Sequence, residues 1–353
     1  MFRILPPQKE SKIGQNNPEN RRTLNFEIGL MILAANPYWG KNFFQVLGVW
    51  MSRLWGMLTG QLSLHDLAPD DIQIIVLSLV ALASATVGTF LVLKKMTMLA
   101  NSLSHTILLG IVIAYLILIP FLENEQLSSH GISVHILLVA SLITALITTL
   151  LTQFLTSVLR LQEDASTGLV FTTLFALGIV LVTAFTRNTH LGTEAIMGNV
   201  DALHSDDIKL IFWIALTNVI VIIGFFKEWQ VTTFDPGFAS ANGFSSKCFN
   251  YFLMVITSTT VIGAFRAVGV LLVLAFLVAP VLTARLFFHR LKSLLLGSMA
   301  IGVLASVISV ALSRHFLTVH HFPLSTAGLT VVSLGMIYFL ALGVRLTLRR
   351  KRC

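Results

Sequence analysis

Charged residues are scarce in this sequence. Asp, Glu, Lys and Arg together make up 11% of its 353 residues, whereas hydrophobic residues make up 55%. A soluble domain carries about 25% charged residues. A soluble fold is therefore excluded, because no fold of this length could bury so much apolar surface. The composition predicts an all-α, polytopic transmembrane helical bundle.

Cysteines and catalytic motifs are also lacking. Cys248 and Cys353 lie far apart and neither has a paired ligand spacing, so we expect neither a disulfide nor a structural zinc site. The sequence contains no phosphate-binding loop of the G-x-x-x-x-G-K-[ST] type, no serine elbow and no H-E-x-x-H helix. Any ATP hydrolysis must then occur on another chain. Acid clusters are missing from the long apolar runs, which argues against a proton relay.

Long apolar runs, by contrast, are plentiful. A membrane helix needs about 20 apolar residues. The candidate spans are residues 72–93, 99–119, 134–158, 168–186, 208–226, 249–265, 267–287, 294–313 and 325–344. The runs 249–265 and 267–287 are short and meet at Gly263 to Arg266, so they form either two spans or one broken element. We expect eight to ten spans in all.

The chain divides into three parts by composition. Residues 1–71 combine a polar tail, without the pattern of a cleaved signal peptide, and the segment 43–62, which is either a first span or an aromatic-rich interfacial helix. The loop alternation puts the segment before residue 72 outside, whereas a basic tail prefers the cytoplasm, so a span is favoured for 43–62. Residues 72–345 form the transmembrane domain. Residues 346–353 are a basic tail.

Lysine and arginine follow the alternation of the loops. The loops at Lys94, Arg160, Lys227 and Lys247, and the C-terminal tail, are basic, which predicts that they are cytoplasmic. This distribution accounts for the net charge of +8 without a nucleic-acid partner. The opposite loops hold most of the acids and most of the ten histidines. Imidazole and carboxylate are common transition-metal ligands, so His190, Glu194, His320 and His321 are candidates for outer metal capture.

A polar insertion opens the second predicted span. Asn101 and His105 are four residues apart, so on a helix they share one face. Two interpretations are open. These side chains either hydrogen-bond between packed helices or line a metal pathway, since polar groups in a membrane usually face a pathway or a protein interior.

The longest polar segment on the predicted cytoplasmic side is residues 227–248. Phe234 to Gly237 favours a turn, Asp235 can cap a helix, and Phe238 to Asn242 could form a short helix that ends at Gly243. A short helix in a loop is typical of a partner-docking element, although a solvated loop is the simpler interpretation.

Four ordered motifs resemble a known family. They lie at residues 88–111, 163–182, 234–243 and 266–285, with a weaker fifth at 322–328. The first is similar to a pattern of an apolar run, two basic residues and D-x-x-S-H, and the third to F-D-P-x-F-A-x-x-x-G. From about residue 87 to 345, the chain resembles the permease subunit of zinc, manganese and iron ABC importers of the metal-ion type.

The resemblance implies a transport subunit in a bacterial cytoplasmic (inner) membrane. Its expected partners are a second permease, as a homodimer or heterodimer, two cytoplasmic ATPase subunits and an extracytoplasmic metal-binding protein. The metal would be cargo rather than a permanently bound cofactor. The ATPase subunits are expected to dock on the third motif, through Phe234, Asp235, Pro236, Phe238, Ala239 and Gly243.

The first motif departs from the family at one position. His105 matches the family's intramembrane histidine, but Asn101 stands where the family has an aspartate. Either neutral ligands suffice, or a different partner permease supplies the acid. Other functions remain open: a gradient-coupled metal carrier without an ATPase, or a permease for metal chelates. An intramembrane enzyme is the least favoured.

Overall fold

The computed structural model describes residues 36–60, 67–122, 134–185 and 200–350. Within these ranges every regular element is helical, which confirms the all-α prediction. The helices are α1 (Phe43–Leu58), α2 (Pro69–Leu93), α3 (Thr97–Leu122), α4 (Val134–Ser157), α5 (Glu163–Phe185), α6 (Ser205–Gly224), α7 (Phe226–Phe234), α8 (Pro236–Ala241), α9 (Ser246–Val268), α10 (Val270–Arg285), α11 (Leu291–Val319) and α12 (Thr326–Arg350), with a 3-10 turn at Val200–Ala202.

Most of these helices are long enough to cross a bilayer. By length and composition alone, six qualify among the described residues: α2, α5, α6, α9, α11 and α12. The apolar part of α4 and all of α10 are shorter, and α3 has 26 residues. The transmembrane helical bundle is therefore confirmed, with a span count near the expected one.

The junction between α9 and α10 is a single residue. Gly269 has a φ of 83°, a conformation that glycine adopts without a steric penalty. The expected meeting point at residues 263–266 is wrong, because α9 continues to Val268. Gly263 instead packs inside the helix, where a Cβ would collide with the side chain of Ile214.

Helix α2 forms the centre of the bundle, packed against α6, α9, α10 and α11. Small residues permit this close packing. A Cβ on Gly88 would overlap the backbone carbonyl of Leu277 in α10, and Gly302 of α11 lies against Ala81. Small residues commonly allow membrane helices to approach closely in this way.

Helices α3, α4 and α5 form a second packed group. Gly110 of α3 lies against Thr144 of α4, and Gly178 of α5 lies against Leu109 of α3. The Thr148 hydroxyl donates to that of Thr106 across the α3–α4 contact at 3.1 Å. This group places the face of α3 that carries His105 beside α5.

Contacts between helix termini define two ends of the bundle. At the basic end, Lys94 Nζ donates to Asn250 Oδ1 at 2.6 Å, and Lys292 Nζ lies 5.6 Å from the centroid of the Phe226 ring. At the acidic end, Arg314 pairs with Asp70. The basic end gathers the loops that the charge distribution assigns to the cytoplasm.

Candidate functional site

A tight turn positions the start of α3. Lys95 has a φ of 62°, and the Met96 backbone N–H donates to the carbonyl of Leu91 at 2.9 Å. The chain therefore reverses between α2 and α3 within three residues. Asn101 and His105 then follow one turn apart, and both side chains are half-buried.

Two aromatic rings of α5 contact His105. Its imidazole centroid lies 5.3 Å from that of Phe171 and 5.5 Å from that of Phe175. The two phenyl rings stack on each other at 5.8 Å. They fix the imidazole against α5 and cover part of it with apolar surface. Sequence reasoning missed both rings, although they stand four residues apart within the second motif.

Polar groups lie on the same three helices. Ser102 of α3, Thr149 of α4 and Ser166 of α5 are buried, and each hydroxyl lacks a hydrogen-bond partner within the described part of the chain. Buried hydroxyls are normally paired with protein or water. Each of the three helices therefore carries a buried hydroxyl that is available to water.

The described residues of this chain do not supply a complete set of metal ligands. Among the described ranges, no group of three or more His, Cys, Asp or Glu side chains could hold a metal ion. Asn101 and His105 offer one amide oxygen and one imidazole nitrogen. Further ligands would have to come from water or from another chain.

The segment at the basic end folds into two short helices. The Asp235 side chain accepts from the backbone N–H of Phe238 at 2.9 Å, and Pro236 occupies the first turn of α8. Gly243 has a φ of 83° and follows the helix end. A short helix capped by Asp235 is thus confirmed, beginning at Pro236 rather than at Phe238.

The junction of α7 and α8 presents apolar surface to its surroundings. Phe234, the last residue of α7, and Phe238 of α8 are 60% and 58% exposed, whereas Ala239 is fully buried. An exposed aromatic pair of this kind is typical of surfaces that contact other proteins. The predicted docking residues therefore gather in one place, with Asp235 and Gly243 shaping the backbone and the phenylalanines facing outward.

Trp229 of α7 anchors this segment to the bundle. Its fully buried ring contacts Phe90 of α2 at a centroid distance of 5.4 Å and stacks on Phe252 of α9 at 5.9 Å. Lys94 Nζ lies 5.7 Å from the same ring. The short helices are thereby joined to the turn that begins α3.

Two of the four candidates for outer metal capture lie within the described residues. His190 and Glu194 lie outside the described residues. His320 and His321 are exposed at the acidic end, after α11. His320 contacts His315, with ring centroids 5.8 Å apart, and His315 Nδ1 is buried without a partner in the described ranges. Sequence analysis did not single out His315.

A cavity of about 760 Å³ opens at the acidic end. Its charged and polar lining includes Arg53, Asp70, Gln73, Asp201 and Arg314. None of the residues predicted for the metal path or for docking lines it.

Comparisons with known proteins agree with this arrangement. The model of the ABC 3 transport family matches residues 72–345. A "probable metal transport system membrane protein" of Chlamydia muridarum is 40% identical over 310 residues, covering 87% of this chain and 94% of that protein. The "manganese transport system membrane protein MntD" of Bacillus subtilis is 35% identical over 243 residues, covering 65% of this chain and 78% of that protein.

Among solved structures, PsaBC from Streptococcus pneumoniae in complex with Fab has a similar fold. The TM-score is 0.61 at 21% identity, covering 76% of this chain and 89% of that chain. The family match includes all four motifs that carried the resemblance, and the relatives share most of their length with this protein. The resemblance inferred from the sequence is confirmed, and the chain belongs to the ABC 3 transport family.

Proposed function

We propose that this protein is the membrane-spanning permease of an ATP-driven importer of divalent transition-metal ions. One observation carries the proposal. At the basic end, the docking segment (residues 226–243, which form α7 and α8) packs directly against the turn that joins α2 to α3, the helix that carries His105. Trp229 and Lys94 make this connection. Through these contacts, movement of a protein bound at the basic end is transmitted to α3, the helix that carries Asn101 and His105.

The expected cargo is Mn²⁺, Zn²⁺ or Fe²⁺. Relatives are named for manganese and zinc transport, and imidazole and amide ligands accept all three ions. Two neutral ligands per subunit bind a divalent ion weakly enough to release it, which a transport site requires. Pairing of two permeases, either identical or different, would bring two such sets together. The ion is cargo, and no permanently bound cofactor is proposed.

Three kinds of partner complete the transporter. An ATPase dimer docks on α8 through Phe234, Phe238 and the capped backbone at Asp235. A second permease completes the pathway at Asn101 and His105. A metal-binding protein delivers ions to the acidic end, which faces outward with His320 and His321, while the C-terminus lies in the cytoplasm. The orientation rests on the basic residues of the loops.

The test is elemental analysis of cells that express this chain with its ATPase. We expect one metal to accumulate, and we expect His105→Ala to abolish that accumulation at normal protein levels. The matched control is His289→Ala, because His289 lies in the turn between α10 and α11 at the basic end. Equal accumulation in wild type and His105→Ala would overturn the role of His105.

A gradient-coupled carrier is the alternative that this experiment can separate. Replacing both exposed phenylalanines of the docking segment with serine should stop accumulation if an ATPase drives transport. Accumulation that survives these changes but collapses when the ion gradient is dissipated would favour the carrier.

A further inference from the structure

Helix α1 belongs to the segment 43–62, for which the sequence allowed either a span or an interfacial helix. It has 16 residues, so at 1.5 Å per residue it is about 24 Å long. The hydrocarbon core of a bilayer is about 30 Å thick. Length alone therefore makes α1 a poor span, and its contacts show where it lies.

The start of α1 is held near the outer end of α11. The Thr318 hydroxyl donates to the backbone carbonyl of Lys41 at 3.2 Å. Thr318 is one residue from the end of α11 at Val319. Val46, one turn further along, packs in a cluster with Ala311.

The later part of α1 is held at the same end of the bundle. Arg53 Nε donates to Asp71 Oδ2 at 2.7 Å. The same carboxylate accepts from the Ala68 backbone N–H at 3.0 Å and from the hydroxyl of Tyr38. Asp71 lies in the first turn of α2. Burial, reinforced by the hydrogen bond to Asp71, raises the pKa of Tyr38, which therefore stays protonated and remains a donor.

A second carboxylate extends this network. Asp70 pairs with Arg314 of α11, whose Nε lies 2.9 Å from Asp70 Oδ1, and Asn36 Nδ2 donates to Asp70 Oδ2 at 2.8 Å. Both acids are almost fully buried. Removing one member of such a pair leaves a buried charge without its partner, so the network holds the segment before α2 firmly.

Chain connectivity, taken with the contact at Thr318, excludes a crossing. The start of α1 lies at the outer end of α11, so a crossing α1 would end on the opposite side of the membrane, about 30 Å from the start of α2. Gly60, just after α1, and Leu67, just before α2, are seven residues apart, and seven residues reach at most about 25 Å when fully extended. This link cannot bridge that distance.

The remaining face of α1 is apolar and uncovered. Phe44 and Trp55 are 82% and 69% exposed, and Met51 lies between them on the same side of the helix. Trp39 is also exposed, just before the helix. Aromatic rings of this kind concentrate where a bilayer meets water. On α11, a helix long and apolar enough to span a bilayer, the apolar side chain of Leu304 is also exposed.

We infer that α1 is a monotopic helix that lies in the outer membrane interface, with Phe44, Met51 and Trp55 in the acyl-chain and headgroup boundary. The network at Asp70 and Asp71 clamps its other face to α2 and α11. The in-plane placement follows from the contacts. Only its assignment to the outer leaflet rests on the orientation under the proposed function.

Thiol accessibility tests the topology in the full-length protein. In a Cys248→Ser/Cys353→Ser background, Lys41→Cys and Thr59→Cys flank α1. We expect a membrane-impermeant maleimide to label both from outside intact spheroplasts. The control is the separate Cys353→Ser variant, which keeps native Cys248, exposed at the basic end; it should react only after permeabilisation. Labelling of only one flank before permeabilisation would overturn the inference, because α1 would then cross. Labelling of both flanks only after permeabilisation would overturn the outer-leaflet placement.

Nitroxide labels test the lipid contact. Phe44→Cys and Trp55→Cys would be labelled in vesicles of mixed phosphatidylethanolamine and phosphatidylglycerol, with Leu304→Cys as the deep control. We expect relaxation by oxygen and a depth shallower than that of the control. Relaxation by a water-soluble nickel chelate alone would place the face in water. Protection from both reagents would place it against another protein, and either result would overturn the lipid contact.

Discussion

The ammonium group of Lys94 lies 5.7 Å from the centroid of the Trp229 ring. The same Nζ donates to Asn250 Oδ1 at 2.6 Å. Lys94 directly follows α2 and begins the turn to α3, whereas Trp229 belongs to α7 in the docking segment, residues 226–243. A displacement of that segment would therefore act on the first turn of α3, one helical turn before Asn101.

Loss of the Lys94 charge should weaken the contact between the turn before α3 and the docking segment. Lys94→Met keeps an apolar stem but removes both the cation–π contact and the hydrogen bond to Asn250. Such interactions each contribute on the order of 1 kcal/mol. We expect a lower unfolding temperature in detergent and slower ATP-dependent metal uptake.

Lys95→Met is the matched control for that experiment. Lys95 is adjacent and exposed, and its side chain makes no ring contact or hydrogen bond with the residues that the structure describes. A similar loss in both variants would show that only the overall charge of the turn matters. Unchanged stability and uptake in Lys94→Met would contradict the mechanical role.

Restoring an acid at residue 101 should tighten metal binding. Asn101→Asp adds a carboxylate one turn from His105, and a negative charge attracts a divalent ion more strongly than an amide does. We expect Mn²⁺ to bind at least about tenfold more tightly, which corresponds to roughly 1.4 kcal/mol. Isothermal titration of the assembled transporter measures this change.

The double variant Asn101→Asp/His105→Ala identifies the source of the gain. If the two side chains act on one ion, the increase in affinity should largely vanish without the imidazole. An increase that persists in full would mean that the new carboxylate binds metal elsewhere. No increase at all would favour an acid supplied by a different partner permease.

The cap of α8 should control ATPase docking. Asp235→Ala removes the acceptor for the Phe238 N–H and costs about 1 kcal/mol of local helix stability. We expect less ATPase to co-purify with this variant. Asp235→Asn retains the acceptor and should preserve co-purification. Equal loss in both variants would point to a direct role of the carboxylate charge in contacting the ATPase.

Much of this architecture follows from local patterns in the sequence. Apolar runs predict the spanning helices because a bilayer demands about 20 apolar residues whatever the neighbours are. The cap at Asp235 was also predictable, since it depends on residues three apart. The grouping of basic loops at one end was predictable as well, because the charge of each loop can be read from its own residues.

Contacts between distant segments were not predictable from the sequence. In the sequence, Phe171 cannot be distinguished from any other apolar residue; its role emerges only when α5 packs beside His105. The acids at 70 and 71 were only a boundary before the first strong span. The partner of Asp70, Arg314, lies 244 residues away, and Asp71 pairs with Arg53 of a segment whose placement the sequence left open. The junction at Gly269 was misplaced by a few residues, since the sequence shows several glycines but not which one adopts a positive φ.

The contact between Gly88 and Leu277 gives a final prediction about stability. A Cβ at residue 88 would overlap a backbone carbonyl of α10, which cannot rotate away as a side chain can. Overpacking of this kind costs about 1–3 kcal/mol, and more when backbone must move. We expect Gly88→Ala to lower the unfolding temperature and the yield of folded protein. Gly335→Ala in α12 is the matched control, because among the described residues no atom beyond its chain neighbours and its own helix backbone lies within 4 Å of the added Cβ there. Equal stability of the two variants would show that α2 and α10 can separate without loss, and α2 would then no longer be the rigid centre against which the docking segment acts.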